Sequence, residues 1–214
     1  MLPEKREVNA VADIGSHWMD LIEYISGVRV VEIMADFATF HPVRKKPLKP
    51  VETYAGKILT PADHKDVPID TEDYGTILFH FDSGAHGALT VSRVSAGRKN
   101  RISFEMEGSK EAVAWDSESP NGIWIGRRDA ANELMLKDPY FAYPEARSLM
   151  SLPGGHNEGF PDTSKQMFRE VYARIGGEAS TAAPTFPTFA DGLCESVPCE
   201  KILLSKDSRS WVRV

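Results

Sequence analysis

Two short turns constrain this chain more than anything else in it. Asp82-Ser83-Gly84 separates two runs of β-favouring residues, Asp73–Phe81 and Ala85–Val94. Gly108-Ser109-Lys110 separates a second pair, Arg101–Glu107 and Glu111–Trp115. Turns this tight leave no room for a crossover, so the strands of each pair must run antiparallel. Gly122–Ile125 and Glu133–Lys137 read as shorter strands, and Trp211–Val214 as a terminal one. Ahead of this block, Val28–Phe40 is rich in β-branched and aromatic residues and predicts one long strand.

Helices bracket the strands. One is expected from about Gly15 to Ser26, with Gly27 as its C-cap. Two more are expected over Asp162–Ile175 and Phe189–Leu204. The segment His41–Thr71 holds five prolines and no clean period. It reads as a long excursion with one strand near Glu52–Leu59, and excursions of this length are often functional. Its basic stretch, Arg44-Lys45-Lys46-Pro47-Leu48-Lys49, reads as a solvated loop. Pro139–Pro161 reads as irregular. The order of elements predicts an α+β fold, an open and predominantly antiparallel sheet with helices on one face. The 214 residues fit a single domain over 1–214. The other sheet face must be covered or meet water.

Composition narrows the function classes. Net charge is -6, and a duplex-binding surface needs a basic excess, so nucleic acid is not expected. No apolar run approaches the roughly 18 residues of a membrane span. The opening residues carry no signal-peptide stretch. Cys194 and Cys199 point in different directions on a helix and form no disulfide framework, so a reducing cytoplasm is expected.

The chemistry concentrates on the first helix. Asp13 and His17 are four residues apart, just over one helical turn, and share a sector with Asp20 and Tyr24. Trp18, Leu21, Ile22 and Ile25 form another sector, the expected core stripe. A carboxylate beside an imidazole can orient the ring and prepare it for general acid/base work. The plain alternative is a helix cap and a surface polar group. His156 lies in a glycine-rich loop, where it either hydrogen-bonds a substrate hydroxyl or is an exposed or interface histidine. Arg98 and Asn100 lie between strands, in reach of substrate or in a turn role. Asp162 reads as an N-cap. Trp115, Trp124 and Trp211 read as core or sheet-face residues, and His80 as packed in the sheet or at an interface.

Dinucleotide-binding signals are missing. No Gly-x-Gly-x-x-Gly turn joins a strand to a helix; Gly154-Gly155 comes closest, with no strand leading into it. There is no phosphate-loop, nucleophile-elbow or His-Glu-x-x-His motif. No cofactor-binding or metal site is therefore assigned to this chain. One competing reading is a metal-dependent hydrolase or isomerase that uses Asp13, His17, His156 and His41. Another is a non-catalytic assembly module.

The motifs together resemble the C-terminal, substrate-side domain of the Gfo/Idh/MocA oxidoreductases. The family's Asp-x-Gly-x-His-x-x-Asp helix matches Asp13, Gly15, His17 and Asp20. Glu72-Asp73, Phe81-Asp82-Ser83-Gly84-Ala85 and Glu107-Gly108-Ser109-Lys110 follow in the family's order. So do Pro153-Gly154-Gly155-His156, Phe186-Pro187-Thr188-Phe189-Ala190-Asp191-Gly192 and the ending Ser208-Arg209-Ser210-Trp211-Val212-Arg213-Val214. The run from Gly154 to Gly159 is most similar to the sugar- and polyol-oxidising branch.

The resemblance implies a fold like the C-terminal domain of glyceraldehyde-3-phosphate dehydrogenase. It implies a sugar or polyol substrate, with Asp13 and His17 as catalytic residues and His156, Asp20, Arg98 and Asn100 as substrate contacts. It also implies NAD or NADP on a Rossmann domain, in cis or in trans, and a homo-oligomer formed through the sheet face. The family's Glu-Lys-Pro lysine has no counterpart, because Glu4-Lys5 is followed by Arg6. Without a Rossmann domain the chain is expected to be inactive.

Overall fold

A computed structural model describes residues 9–50, 63–178 and 183–214. A π-helical turn, Val11–Gly15, runs into helix α1 (Ser16–Ser26). Strands β1 (Val30–Ala38), β2 (Val43–Pro47), β3 (His64–Pro68), β4 (Tyr74–Phe81) and β5 (His86–Ser92) follow. Then come β6 (Ser103–Glu107), β7 (Glu111–Asp116), β8 (Gly122–Arg127) and β9 (Glu133–Leu136). Helices α2 (Pro144–Leu149), α3 (Phe160–Gly176) and α4 (Phe189–Ser208) lead to β10 (Val212–Arg213). The class is α+β with antiparallel sheets. The strands divide between two four-stranded sheets and a ribbon. The chain divides likewise into two units, residues 1–96 with 193–214, and residues 97–192.

The first unit is built on the sheet β10-β1-β4-β5, every pairing of which is antiparallel. Ile33 pairs with Phe79 and Ile77 with Leu89, so alternation puts their side chains on one face. All four are buried there. Met19 and Ile22 of α1 and Cys199 and Ile202 of α4 are also buried. Trp18 stacks on Phe79 at 5.9 Å. The Ser205 hydroxyl accepts the Ala35 N–H at 3.0 Å and donates to the Ser210 carbonyl at 2.7 Å, which satisfies these polar groups inside the core.

The core stripe of the first helix differs from the expected one. It runs Val11, Gly15, Met19, Ile22, with Trp18 half-buried beside it. Ile25, on the last turn before the left-handed cap Gly27, is 45% exposed. The π turn closes with a bond from the Ser16 N–H to the Val11 carbonyl, one residue wider than an α turn, and it sets the phase of the helix.

The excursion between β1 and β4 also differs. Its basic stretch is not a loop: Arg44, Lys45 and Lys46 lie in β2, which pairs with β3 from Val43↔Pro68 to Pro47↔His64. A two-stranded ribbon has free edges, so prolines at its ends are tolerated. Lys45 and Asp66, opposite each other, form an ion pair. The strand expected near Glu52–Leu59 lies outside the described residues.

In the second unit, β6-β7-β8-β9 is an antiparallel meander. The Gly108 N–H donates to the Glu111 carbonyl at 2.9 Å and closes the expected turn. Phe104 and Trp115 stack across the first pair, and Trp115 Nε1 donates to the Pro120 carbonyl at 3.1 Å. The segment read as irregular holds the short helix α2, with Pro144 in its first turn. Asp162 is not an N-cap. It is the third residue of α3, and its carboxylate reaches back to accept the Gly159 N–H at 2.9 Å, as in a capping box. That contact holds its carboxyl below the ordinary value.

Candidate functional site

The segment that carries Asp13 is anchored from below by a buried carboxylate. Glu72 Oε1 accepts the N–H groups of Asn9 at 2.7 Å and Val11 at 2.9 Å. These are donors that a helix start otherwise leaves unpaired. Next to it, buried Asp73 accepts the N–H groups of Phe40 at 2.8 Å and His41 at 2.9 Å. Burial alone would raise the Asp73 carboxyl, but these two donors hold it below its ordinary value. The Glu72-Asp73 pair is therefore a structural clamp. It fixes the entry to the π turn with one residue and the exit of β1 with the other.

From this base, Asp13, His17 and Asp20 face away from the core and are exposed. Asp13 forms an ion pair with Arg93, just past the end of β5. Among the described residues no hydrogen bond joins Asp13 to His17. Arg93 had no local signal in the sequence; only the fold brings it 80 residues back along the chain to Asp13.

Asp20 repels a carboxylate on α4. The Glu195 carboxyl there is pushed up to about 7, first by burial and then by repulsion from Asp20 and Glu23, with Arg29 opposing. Its Oε2 is buried without a partner among the described residues. Cys199 is likewise pushed up to about 11 by burial, which makes it an inert thiol.

The second unit holds the other candidates. His156 is exposed, with Nδ1 3.3 Å from the Gly154 carbonyl oxygen. Its loop is tied down by Glu158, which pairs with Lys137 and accepts the Ser151 N–H at 2.7 Å. Asn121 bonds both the N–H and the carbonyl of Glu158. Burial would raise the Glu158 carboxyl, yet Lys137 and the Ser151 N–H bring it below its ordinary value. Arg98 pairs with Glu118, and the Asn100 carbonyl accepts the Ser117 hydroxyl at 3.5 Å. Both contacts are of the turn-holding kind.

Two chemical tests bear on what the site can hold. Among the described residues no group of three His, Cys, Asp or Glu side chains is placed to hold a metal ion. Every described strand pairing is antiparallel, and Gly154-Gly155 lies in a turn after α2 rather than between a strand and a helix. The described residues therefore contain no strand–turn–helix phosphate cradle of the kind that binds a dinucleotide.

Known oxidoreductases resemble this chain in sequence and fold. The model of the GFO/IDH/MocA C-terminal domain matches residues 2–114. Levoglucosan dehydrogenase of Pseudarthrobacter phenanthrenivorans is 26% identical over 211 residues, which cover 96% of this chain and 51% of that protein. The crystal structure of an oxidoreductase domain protein from Kribbella flavida superposes with a TM-score of 0.77 at 27% identity, over 97% of this chain and 51% of that one. An inositol dehydrogenase homolog from Azotobacter vinelandii, solved with NADH and myo-inositol, shares the fold with a TM-score of 0.74 at 20% identity, over 94% and 49%. The chain spans about half the length of the relatives it matches.

Proposed function

This chain belongs to the GFO/IDH/MocA family, and from that premise we propose that it is the substrate-side part of an NAD(P)-dependent dehydrogenase of sugars or polyols. Both compact units are read as parts of one such domain over 1–214. The observation that carries the proposal is the first helix. Its inner stripe is locked in the core, and its outer face presents Asp13, His17 and Asp20 in the family's spacing.

The nicotinamide supplies the redox chemistry in such a reaction. The described residues include no phosphate cradle for it, so the reading puts the cofactor on a separate domain and assigns this chain the substrate. A carbinol must lose its hydroxyl proton as it becomes a carbonyl. His17 takes or relays that proton at a ring nitrogen, and Asp13 holds a substrate hydroxyl. His156 is read as a further hydroxyl contact, and Asp20, Arg98 and Asn100 as lesser ones. The free cysteines, Cys194 and Cys199, suit a reducing compartment, and the reading places the protein in the cytoplasm.

A second observation supports self-association. The outer face of the β10-β1-β4-β5 sheet carries Leu78, 43% exposed, and Trp211, 41% exposed, with His80 stacked on Trp211 at 4.0 Å. Uncovered apolar faces usually mark contacts, and closed symmetric dimers are the commonest outcome. Sedimentation of the chain should show a dimer or higher oligomer, and Leu78→Asp should dissociate it; a wild-type monomer at high concentration removes this part.

The function is tested by joining this chain to a cofactor-binding domain and assaying sugars and polyols with NAD and NADP. Turnover of a sugar or polyol is expected. Hydrolysis without nicotinamide, together with stoichiometric bound metal, would replace the proposal with the metal-dependent reading.

A further inference from the structure

We infer that Arg93 is a positioning residue, which commits Asp13 to receive a substrate hydroxyl rather than to orient His17. This rests on the assignment of Asp13 and His17 to the substrate site. Arg93 is held at both ends. Its backbone N–H donates to the Asp73 carbonyl at 2.8 Å, next to a carboxylate that is itself locked by two backbone donors. Its guanidinium splits between two partners on one segment: Nη1 donates to Asn9 Oδ1 at 2.5 Å, and Nη2 pairs with Asp13 Oδ2. Asn9 is fixed in turn, because its N–H is held by buried Glu72 and its carbonyl accepts the Asp13 N–H at 3.1 Å.

A guanidinium fork held in this way has a direction as well as a charge. It holds the Asp13 carboxylate against the end of β5, and among the described residues no hydrogen bond joins Asp13 to His17. Asp13 keeps 58% of its side chain exposed, so the paired carboxylate still meets incoming groups. Ionised and turned by Arg93, it can accept a hydrogen bond from a hydroxyl. Among the described residues, Arg93 past β5 pairs with it and Asn9 shares the same guanidinium, while Glu72 and Asp73 hold the segments behind them. The last two are engaged with backbone donors. Arg93 is the guanidinium paired with Asp13 among the described residues, so its removal should change the Asp13 titration.

The test is NMR titration of this chain with labelled Asp and Arg. In the wild type, the Arg93 Nη signals should change with the same midpoint as the Asp13 carboxyl carbon. Arg93→Gln should raise the Asp13 midpoint, because a neighbouring guanidinium favours the charged carboxylate. Arg93→Lys should restore the Asp13 midpoint. Arg93 signals indifferent to Asp13 in the wild type would overturn the inference, and that reading needs no variant to fold. An unchanged Asp13 midpoint in a folded Arg93→Gln would overturn it too. These midpoints do not depend on turnover, so the clamp can fail while the functional proposal stands, and the reverse.

Discussion

Removing the Glu72 side chain should loosen the site from beneath. In Glu72→Ala the N–H groups of Asn9 and Val11 lose their acceptor, and Val11 is fully buried, so water cannot replace it. Two hydrogen bonds to a charged acceptor, at about 1.5 kcal/mol each, put the cost near 3 kcal/mol. Glu72→Gln keeps a carbonyl oxygen at the same reach and loses only the charge, so it should cost about 1 kcal/mol. Urea unfolding of the three proteins measures both values, and amide exchange at Val11 locates the change. In Glu72→Ala, exchange should rise through Asn9–Gly15 and remain slow at Ile33 and Ile77 in the sheet. A Glu72→Ala cost below about 0.5 kcal/mol, the usual scatter of a surface change, would refute the clamp. Equal costs for the two variants would show that the oxygen acceptor is not what matters.

Phe79→Ala should cost about 3–5 kcal/mol, because Phe79 is fully buried, while half-buried Trp18→Ala should cost less; urea unfolding ranks the two. Glu195→Gln should be stabilising near neutral pH. The folded-state value near 7 lies above the unfolded value of 4.5, so the wild type loses stability as pH rises between them. Melting curves from pH 4 to pH 8 should therefore diverge in favour of the variant as pH rises, by an amount reduced by the partial exposure of Glu195. Parallel curves would remove Glu195 as a titrating group.

The hairpins were legible because their signals are local. Asp82-Ser83-Gly84 and Gly108-Ser109-Lys110 set turn geometry within three residues, and the flanking runs had only one way to pair. The motif helix was legible for the same reason, from Asp13 to the cap at Gly27. What escaped depended on distant partners. The β2–β3 ribbon is polar, proline-bounded and without alternation, and it takes its order from pairing and from ion pairs such as Lys45–Asp66. No composition announces the π turn, and the buried stripe runs through Met19 rather than the expected Ile25. Arg93 reads as an ordinary strand-end residue until the fold sets it against Asn9, 84 positions away. The division into two units near Ala96 coincides with no break in composition.

The central claim is that the outer face of the first helix does proton chemistry on a substrate hydroxyl, and His17→Asn tests it most directly. The measurement is turnover of a sugar or polyol, together with melting temperature, in an enzyme that unites this chain with a cofactor-binding domain. His17 is exposed, so the melting temperature should be unchanged. Turnover should fall by about 10²–10⁴-fold, the usual size of a lost general acid or base. Unchanged turnover in the folded variant would contradict the account.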